Sequence, residues 1–228
     1  MNKELLYKIA KKLPKPIRKL GKIFYNPIIP ETLKLDYGQR LMDEKNERFM
    51  VDKLKSVLLN NTPGEIIEFG VYRGGSIISL AKCLKELKIK NKVVYGLDTF
   101  EGLPKSSTND KVPNYYKGAM VENNLDKVKN ILIENKVDDV TFLIKGLFQD
   151  TLKNLKDKKF CFAYVDCDLY EGTKQALEFL LPRTSKGGII FIDDFYSSNW
   201  VGVKKAVLEF IHEKDLNEYN GLIYYIKN

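Results

Sequence analysis

The chain has 228 residues, 44% of them hydrophobic and 30% charged, which is the size and composition of one globular domain rather than a disordered or fibrous segment. Its net charge of +8 is concentrated in residues 1–25, where eight Lys/Arg face a single Glu, so the rest of the chain is close to neutral. A duplex nucleic-acid binder would spread its charge over the working face, so no nucleic-acid partner is expected. No apolar run approaches the roughly 18–20 residues that cross a bilayer. Lys interrupts the N-terminus too often for a secretion signal. Cys83, Cys161 and Cys167 show neither paired nor metal-like spacing and read as reduced thiols of a cytoplasmic protein.

In residues 1–25, Leu5, Ile9 and Leu13 recur every four positions until Pro14 and Pro16 break the pattern. This basic amphipathic arm suits either peripheral contact with an anionic membrane surface or packing on its own domain or a neighbouring subunit. A Pro-rich linker follows, which gives an arm and linker over 1–35 and one domain over 36–228. The spacing of Phe49, Leu54, Val57 and Leu58 predicts a helix over 43–60, stopped by Thr62-Pro63-Gly64.

Residues 65–69 form a short apolar run, predicted as the first buried strand, and a helix is expected to run to about Leu87. Between them lies Glu68-Phe-Gly70-Val-Tyr72-Arg-Gly74-Gly75-Ser76. Glycines at a strand-to-helix turn let a ligand approach the backbone, and the helix N-terminus offers free N–H groups. A dinucleotide fold would place glycine where Tyr72 stands, and the tyrosine side chain blocks that reading. Residues 92–97 predict a second strand ending at Asp98, 28 residues after Gly70, where a carboxylate would meet ribose hydroxyls. Thr99-Phe100-Glu101-Gly102-Leu103-Pro104 opens a polar loop to about Gly118, long enough to act as a lid. A helix over 121–134, a third strand over 140–144 and Phe148 follow.

The next stretch is Phe160-Cys-Phe-Ala-Tyr164-Val-Asp166-Cys-Asp168-Leu-Tyr170, echoed by Gly187-Gly-Ile-Ile-Phe-Ile-Asp193-Asp194-Phe195. Continuous apolar runs of this length suit strands buried on both faces of a parallel sheet. A helix predicted over 171–181 joins them, so both strands point the same way and four carboxylates gather at one rim. Like charges this close repel, and a hard divalent cation would keep them ionised. Cys167 reads as a packing residue rather than a nucleophile. His212, the only histidine, ends a helix predicted over 201–212 and suits a capping role. Residues 222–226 read as an edge-like closing strand. The edge-like strand and the apolar arm both favour a homo-oligomer.

Glu68-x-Gly-x-x-x-Gly74, Asp98-Thr-Phe-Glu-Gly-Leu-Pro104, Asp166-x-Asp168-Leu-Tyr170, Gly187-Gly-x-x-x-x-Asp193-Asp194 and Gly202-x-Lys-Lys-Ala206-Val-x-Glu-Phe210 occur in this order. Together they resemble the macrocin O-methyltransferase family over roughly residues 36–228. The resemblance implies a Rossmann-like class I methyltransferase fold, with a mostly parallel central sheet flanked by helices, and S-adenosylmethionine as cofactor. It also implies a magnesium-assisted O-methyltransferase acting on a hydroxyl of a sugar, glycosylated small molecule or glycan. Carried over, the cofactor set is Glu68, Gly70, Tyr72, Gly74, Ser76, Asp98, Thr99, Phe100, Phe148 and Asp166. Asp166, Asp193 and Asp194 would hold the metal, and Asp166 or Asp168 would take the proton. Catechol-type enzymes place a Lys three residues after the first Asp, where this chain has Leu169. Two other readings stay open: a metal-independent methyltransferase acting on an amine or phenol, and a non-catalytic S-adenosylmethionine-binding protein at the membrane.

Overall fold

The computed structural model describes residues 42–110, 117–120 and 124–228. The arm and linker expected over 1–35, and the start of the helix expected at 121, lie outside the described residues.

Helix α1 (Glu44–Leu59) begins where Asp43 accepts the Lys45 N–H at 2.8 Å, and it turns Met50, Leu54, Val57 and Leu58 inward. Strand β1 (Glu65–Phe69) leads through the glycine turn into α2 (Gly75–Glu86), and β2 (Val94–Asp98) follows. Helix α3 (Leu125–Glu134) starts at Asn124, whose side chain accepts the Lys127 N–H at 3.1 Å. Then come β3 (Thr141–Lys145), a one-turn α4 (Phe148–Thr151) and β4 (Phe160–Val165). Helix α5 (Tyr170–Leu180), β5 (Thr184–Ile192) and α6 (Val201–Phe210) complete the repeating strand–helix pattern. A hairpin of β6 (Leu216–Tyr219) and β7 (Leu222–Ile226) ends it.

The seven strands form one sheet in the order β3-β2-β1-β4-β5-β7-β6, the first five parallel and β7 antiparallel to both β5 and β6. Because side chains alternate across a strand, the sheet splits the core into two layers. Ile66, Phe162, Tyr164 and Phe191 pack with α1, α2 and α3; Ile67, Phe69, Val165 and Ile192 pack with α5 and α6. The expected α/β fold is present, with the chain reversing direction between β1 and β4, where such sheets bind ligands.

The closing strand is not an edge. β7 sits between β5 and β6, so the edge belongs to β6, whose residues are half-buried to exposed. The reason is the Asn220-Gly221 turn: both residues take positive φ (49° and 82°), the geometry of a two-residue hairpin. The edge-strand argument for self-association therefore falls away for β7. His212 lies beyond α6, which closes at Ile211; its backbone carbonyl accepts from Asp215 N–H at 2.9 Å and its side chain makes no capping bond. Ile211, extended at φ −130° and ψ 125°, turns the chain away from the helix axis just before the imidazole.

Gly70 fixes the packing of two strands. Its φ is +86°, and a Cβ there would collide with the backbone carbonyl of Asp166 on the neighbouring strand end. Gly118 also has positive φ (+82°), but a Cβ there would meet only the Glu101 carbonyl, at 3.7 Å. Gly70→Ala is expected to cost about 3–5 kcal/mol and Gly118→Ala roughly 1–2 kcal/mol. Thermal melts of the two variants check this, and equal losses would show that the strand contact is not the constraint.

Candidate active site

The C-terminal ends of β1, β2, β4 and β5 open into one cavity of about 1450 Å³. At one end is the glycine turn. Gly70 and Tyr72 take positive φ (86° and 46°), and Gly74, also left-handed, is the residue just before α2. Asp98 holds this turn open: one carboxylate oxygen accepts the N–H groups of Val71 (2.8 Å) and Tyr72 (2.9 Å), and the other accepts that of Phe100 (2.7 Å). Asp98 lines the cavity as expected, but its first task is structural, since it joins the β1 and β2 turns through the backbone. Thr99 hydrogen-bonds the Gly102 carbonyl at 2.6 Å and closes the next turn. Phe100 lines the cavity from a buried position, and Phe148 packs edge-on against Phe69 with ring centroids 5.1 Å apart.

Beneath the turn, Glu68 is fully buried and accepts the Ser76 hydroxyl on one oxygen, while its second oxygen has no partner. Burial pushes its carboxyl up to about 8, against the Ser76 hydrogen bond and helped by the Asp98 charge. A buried, unsatisfied acid group is costly. It fits a ligand that brings a donor, such as the ammonium of an amino-acid moiety.

At the other end are the four aspartates. Asp166, Asp168 and Asp194 each place one oxygen within 4.8 Å of the others. Asp168 and Asp194 take left-handed φ (59° and 58°), each about 1–2 kcal/mol less favourable than the right-handed form. Burial, then the neighbouring aspartates, pushes Asp166 well above the usual carboxylate range. Burial, then Asp194, pushes Asp168 up to about 8, and burial, then Asp193, pushes Asp194 to about 6. Three hard oxygen donors whose carboxyls are raised first by burial and then by one another's charge suit a divalent cation such as Mg²⁺.

Asp193 stands aside from this set of three. It accepts the Tyr164 hydroxyl at 2.6 Å and the N–H of Asp194 at 2.9 Å, while the Tyr164 hydroxyl also lies 3.1 Å from Asp166. The structure thus groups Asp166 and Asp194 with Asp168, and gives Asp193 a supporting contact through a fully buried tyrosine. Sequence reading had no signal for Tyr164, which looks like one more apolar residue of β4. Cys167 lines the cavity with its thiol facing the Phe69 carbonyl at 3.8 Å. Burial between Asp166 and Asp168 raises its pKa well above normal, so it packs rather than attacks.

The sequence matches the Macrocin-O-methyltransferase (TylF) family over residues 37–223, and the chain belongs to that family. It is 32% identical over 148 residues to the 8-demethyl-8-(2,3-dimethoxy-alpha-L-rhamnosyl)-tetracenomycin-C 4'-O-methyltransferase of Streptomyces olivaceus, covering 62% of this chain and 57% of that protein. It is 29% identical over 150 residues to the mycinamicin III 3''-O-methyltransferase of Micromonospora griseorubida, covering 62% and 59%. The chain spans a little over half the length of these curated relatives. Among solved structures, the O-methyltransferase NovP superposes with a TM-score of 0.73 at 23% identity, covering 83% of this chain and 82% of NovP. The calicheamicin methyltransferase CalS11 superposes with a TM-score of 0.71 at 24% identity, covering 98% and 90%. These likenesses show the fold.

The carboxylate cluster has a consequence for stability. Each raised carboxyl keeps its proton in the folded chain at a pH where the unfolded chain has lost it, so the folded state binds the extra protons. Stability should then drain away as pH rises from the ordinary value of 3.8 through about 6 for Asp194 and about 8 for Asp168. Mg²⁺ at a hundredfold excess over its Kd should recover about 5–10 °C of melting temperature at pH 8 and far less at pH 5. Melts at both pH values, with Mg²⁺ and with EDTA, check this. An equal Mg²⁺ effect at both would refute it.

Proposed function

We propose that the chain transfers a methyl group from S-adenosylmethionine to a hydroxyl of a sugar or glycosylated small molecule, assisted by a divalent cation such as Mg²⁺. The observation that carries this reading is that the glycine turn with its Asp98 brace and the aspartate cluster open into the same 1450 Å³ cavity. Ligand pockets commonly run to about 300–1,000 Å³, so this one has room for a cofactor and a bulky acceptor side by side. The names of the two curated relatives, both O-methyltransferases and one named for a rhamnosyl group on its acceptor, support the acceptor class.

In this reading Glu68 meets the cofactor's amino group with its unpartnered oxygen, and the Asp98 oxygen bonded to the Phe100 N–H offers its second lone pair to the ribose. Gly70, Tyr72, Gly74 and Ser76 shape the turn beneath the cofactor, with Thr99, Phe100 and Phe148 along its adenosine side. Asp166, Asp168 and Asp194 would hold the cation, with Asp193 orienting Asp166 through Tyr164. When bound, the cofactor supplies an electrophilic methyl and the cation lowers the acceptor hydroxyl's pKa. Asp166, or Asp168 beside it, takes the hydroxyl proton. No Lys follows Asp166 at the third position: Leu169 occupies it and is buried. The remaining contribution of the chain is alignment and exclusion of water around the reacting oxygen.

Calorimetric titration of S-adenosylmethionine and of Mg²⁺ into the wild type and Asp194→Ala, followed by labelled-methyl transfer to a panel of glycosides, tests the reading. The cofactor should bind both proteins. Loss of a direct ligand should weaken Mg²⁺ by at least the roughly 10–100-fold seen for outer-shell changes, and methyl transfer should fall with it. Cofactor binding and transfer unaffected by EDTA would favour a metal-independent enzyme. Cofactor binding without transfer to any acceptor would favour a binding protein.

A further inference from the structure

Asp110 lies in the loop after β2, far in sequence from the aspartate cluster, yet it is completely buried. One of its oxygens accepts the Ser107 N–H at 2.6 Å and the Ser107 hydroxyl at 2.8 Å, which closes the loop on itself. Its other oxygen accepts the backbone N–H of Tyr170 at 2.5 Å. Tyr170 is the first residue of α5, two positions after Asp168. Helix starts favour a carboxylate, both by hydrogen bonding and through the helix dipole.

The turn from Asp166 to Tyr170 is held at two ends. At its entry the Asp166 N–H bonds the Phe69 carbonyl on the sheet at 2.9 Å. At its exit the Tyr170 N–H bonds Asp110. Between them Asp168 sits at a left-handed φ of 59°, a conformation that its surroundings must enforce. The second aspartate turn reaches the same carboxylate. It runs from Asp193 and Asp194 into α6, and at Gly202 a Cβ would overlap the Tyr170-bonded oxygen of Asp110 and lie 2.9 Å from the Tyr170 Cβ. Only glycine lets α6 close on Asp110. Lys205, also on α6, bonds the Asn109 side chain at 2.5 Å and adds a second tie to the same loop.

We propose that Asp110 is a positioning residue for the aspartate cluster, joining the loop after β2 to the turns that carry Asp168 and Asp194 and setting the separation of their carboxylates. The proposal rests on the cation reading above. It adds to that reading a residue that touches neither cation nor acceptor but fixes the spacing of the groups that do. A residue acting only in fold stability would lower the melting temperature and leave cation affinity in the folded protein unchanged.

The test uses Mn²⁺ as the probe, its binding followed by electron paramagnetic resonance on the full chain at low temperature, with circular dichroism confirming the fold. Wild type, Asp110→Ala, Asp110→Asn and Gly202→Ala are compared. Asp110→Ala should weaken Mn²⁺ binding about tenfold, the lower end for an outer-shell partner. Asp110→Asn keeps an acceptor for the Tyr170 N–H and should lose less, while Gly202→Ala, which drives the carboxylate off that N–H, should resemble Asp110→Ala. If Asp110→Ala fails to fold, the other two variants carry the same comparison. Folded variants that bind Mn²⁺ within twofold of wild type would overturn the proposal while leaving the cation reading intact. A wild type that binds no Mn²⁺ would overturn both.

Discussion

Four carboxylates brought together at one rim of a parallel sheet repel one another, and much of the local structure exists to hold them there. The sheet does the first part: β4 and β5 are parallel neighbours, so Asp166 and Asp193 leave it side by side. The turns do the second, placing Asp168 and Asp194 in left-handed conformations that cost roughly 1–2 kcal/mol each. The third part is burial, which makes the charges strong and unfavourable at once. Burial and mutual repulsion raise the Asp168 and Asp194 carboxyls above the usual carboxylate range. Such a site carries a strain that a positive charge would relieve. That is the kind of local cost a fold tolerates at a functional position.

The cofactor end follows another logic. There the backbone is the ligand surface, and a side chain, Asp98, is spent on shaping it. Glu68 lies below as a buried acid with one oxygen unmatched. Both ends thus carry an unmet electrostatic demand, one for a hydrogen-bond donor and one for a cation. The glycine turn above Glu68 and the aspartates line the same cavity, so the two demands define where a methyl donor and an acceptor would meet.

Much of this was legible in the sequence, for physical reasons that differ by element. Apolar runs such as Phe160–Val165 announce strands buried on both faces, and the glycines of the first turn mark where a helix begins. Carboxylates at strand ends follow directly from those assignments. What stayed hidden depends on contacts across long separations. Tyr164 looked like core because its hydroxyl matters only once β5 brings Asp193 beside it. Asp110 looked like one more polar loop residue, since nothing local shows that α5 and α6 both close on it. Strand β6 was missed because Leu-Asn-Glu-Tyr has no buried face, although the Asn-Gly pair after it is a hairpin signal that could have found it.

The contact between Gly70 and the Asp166 carbonyl reaches beyond packing. It presses the turn proposed for the cofactor directly against the backbone of the turn proposed for the cation, with no side chain between them to absorb movement. A displacement of one is then a displacement of the other. Two ligands bound on either side of such a rigid seam are thermodynamically linked, so whatever factor the first imposes on the affinity of the second, the second returns to the first. Occupancy at either proposed site would then be information available at the other, carried by a single missing methyl group.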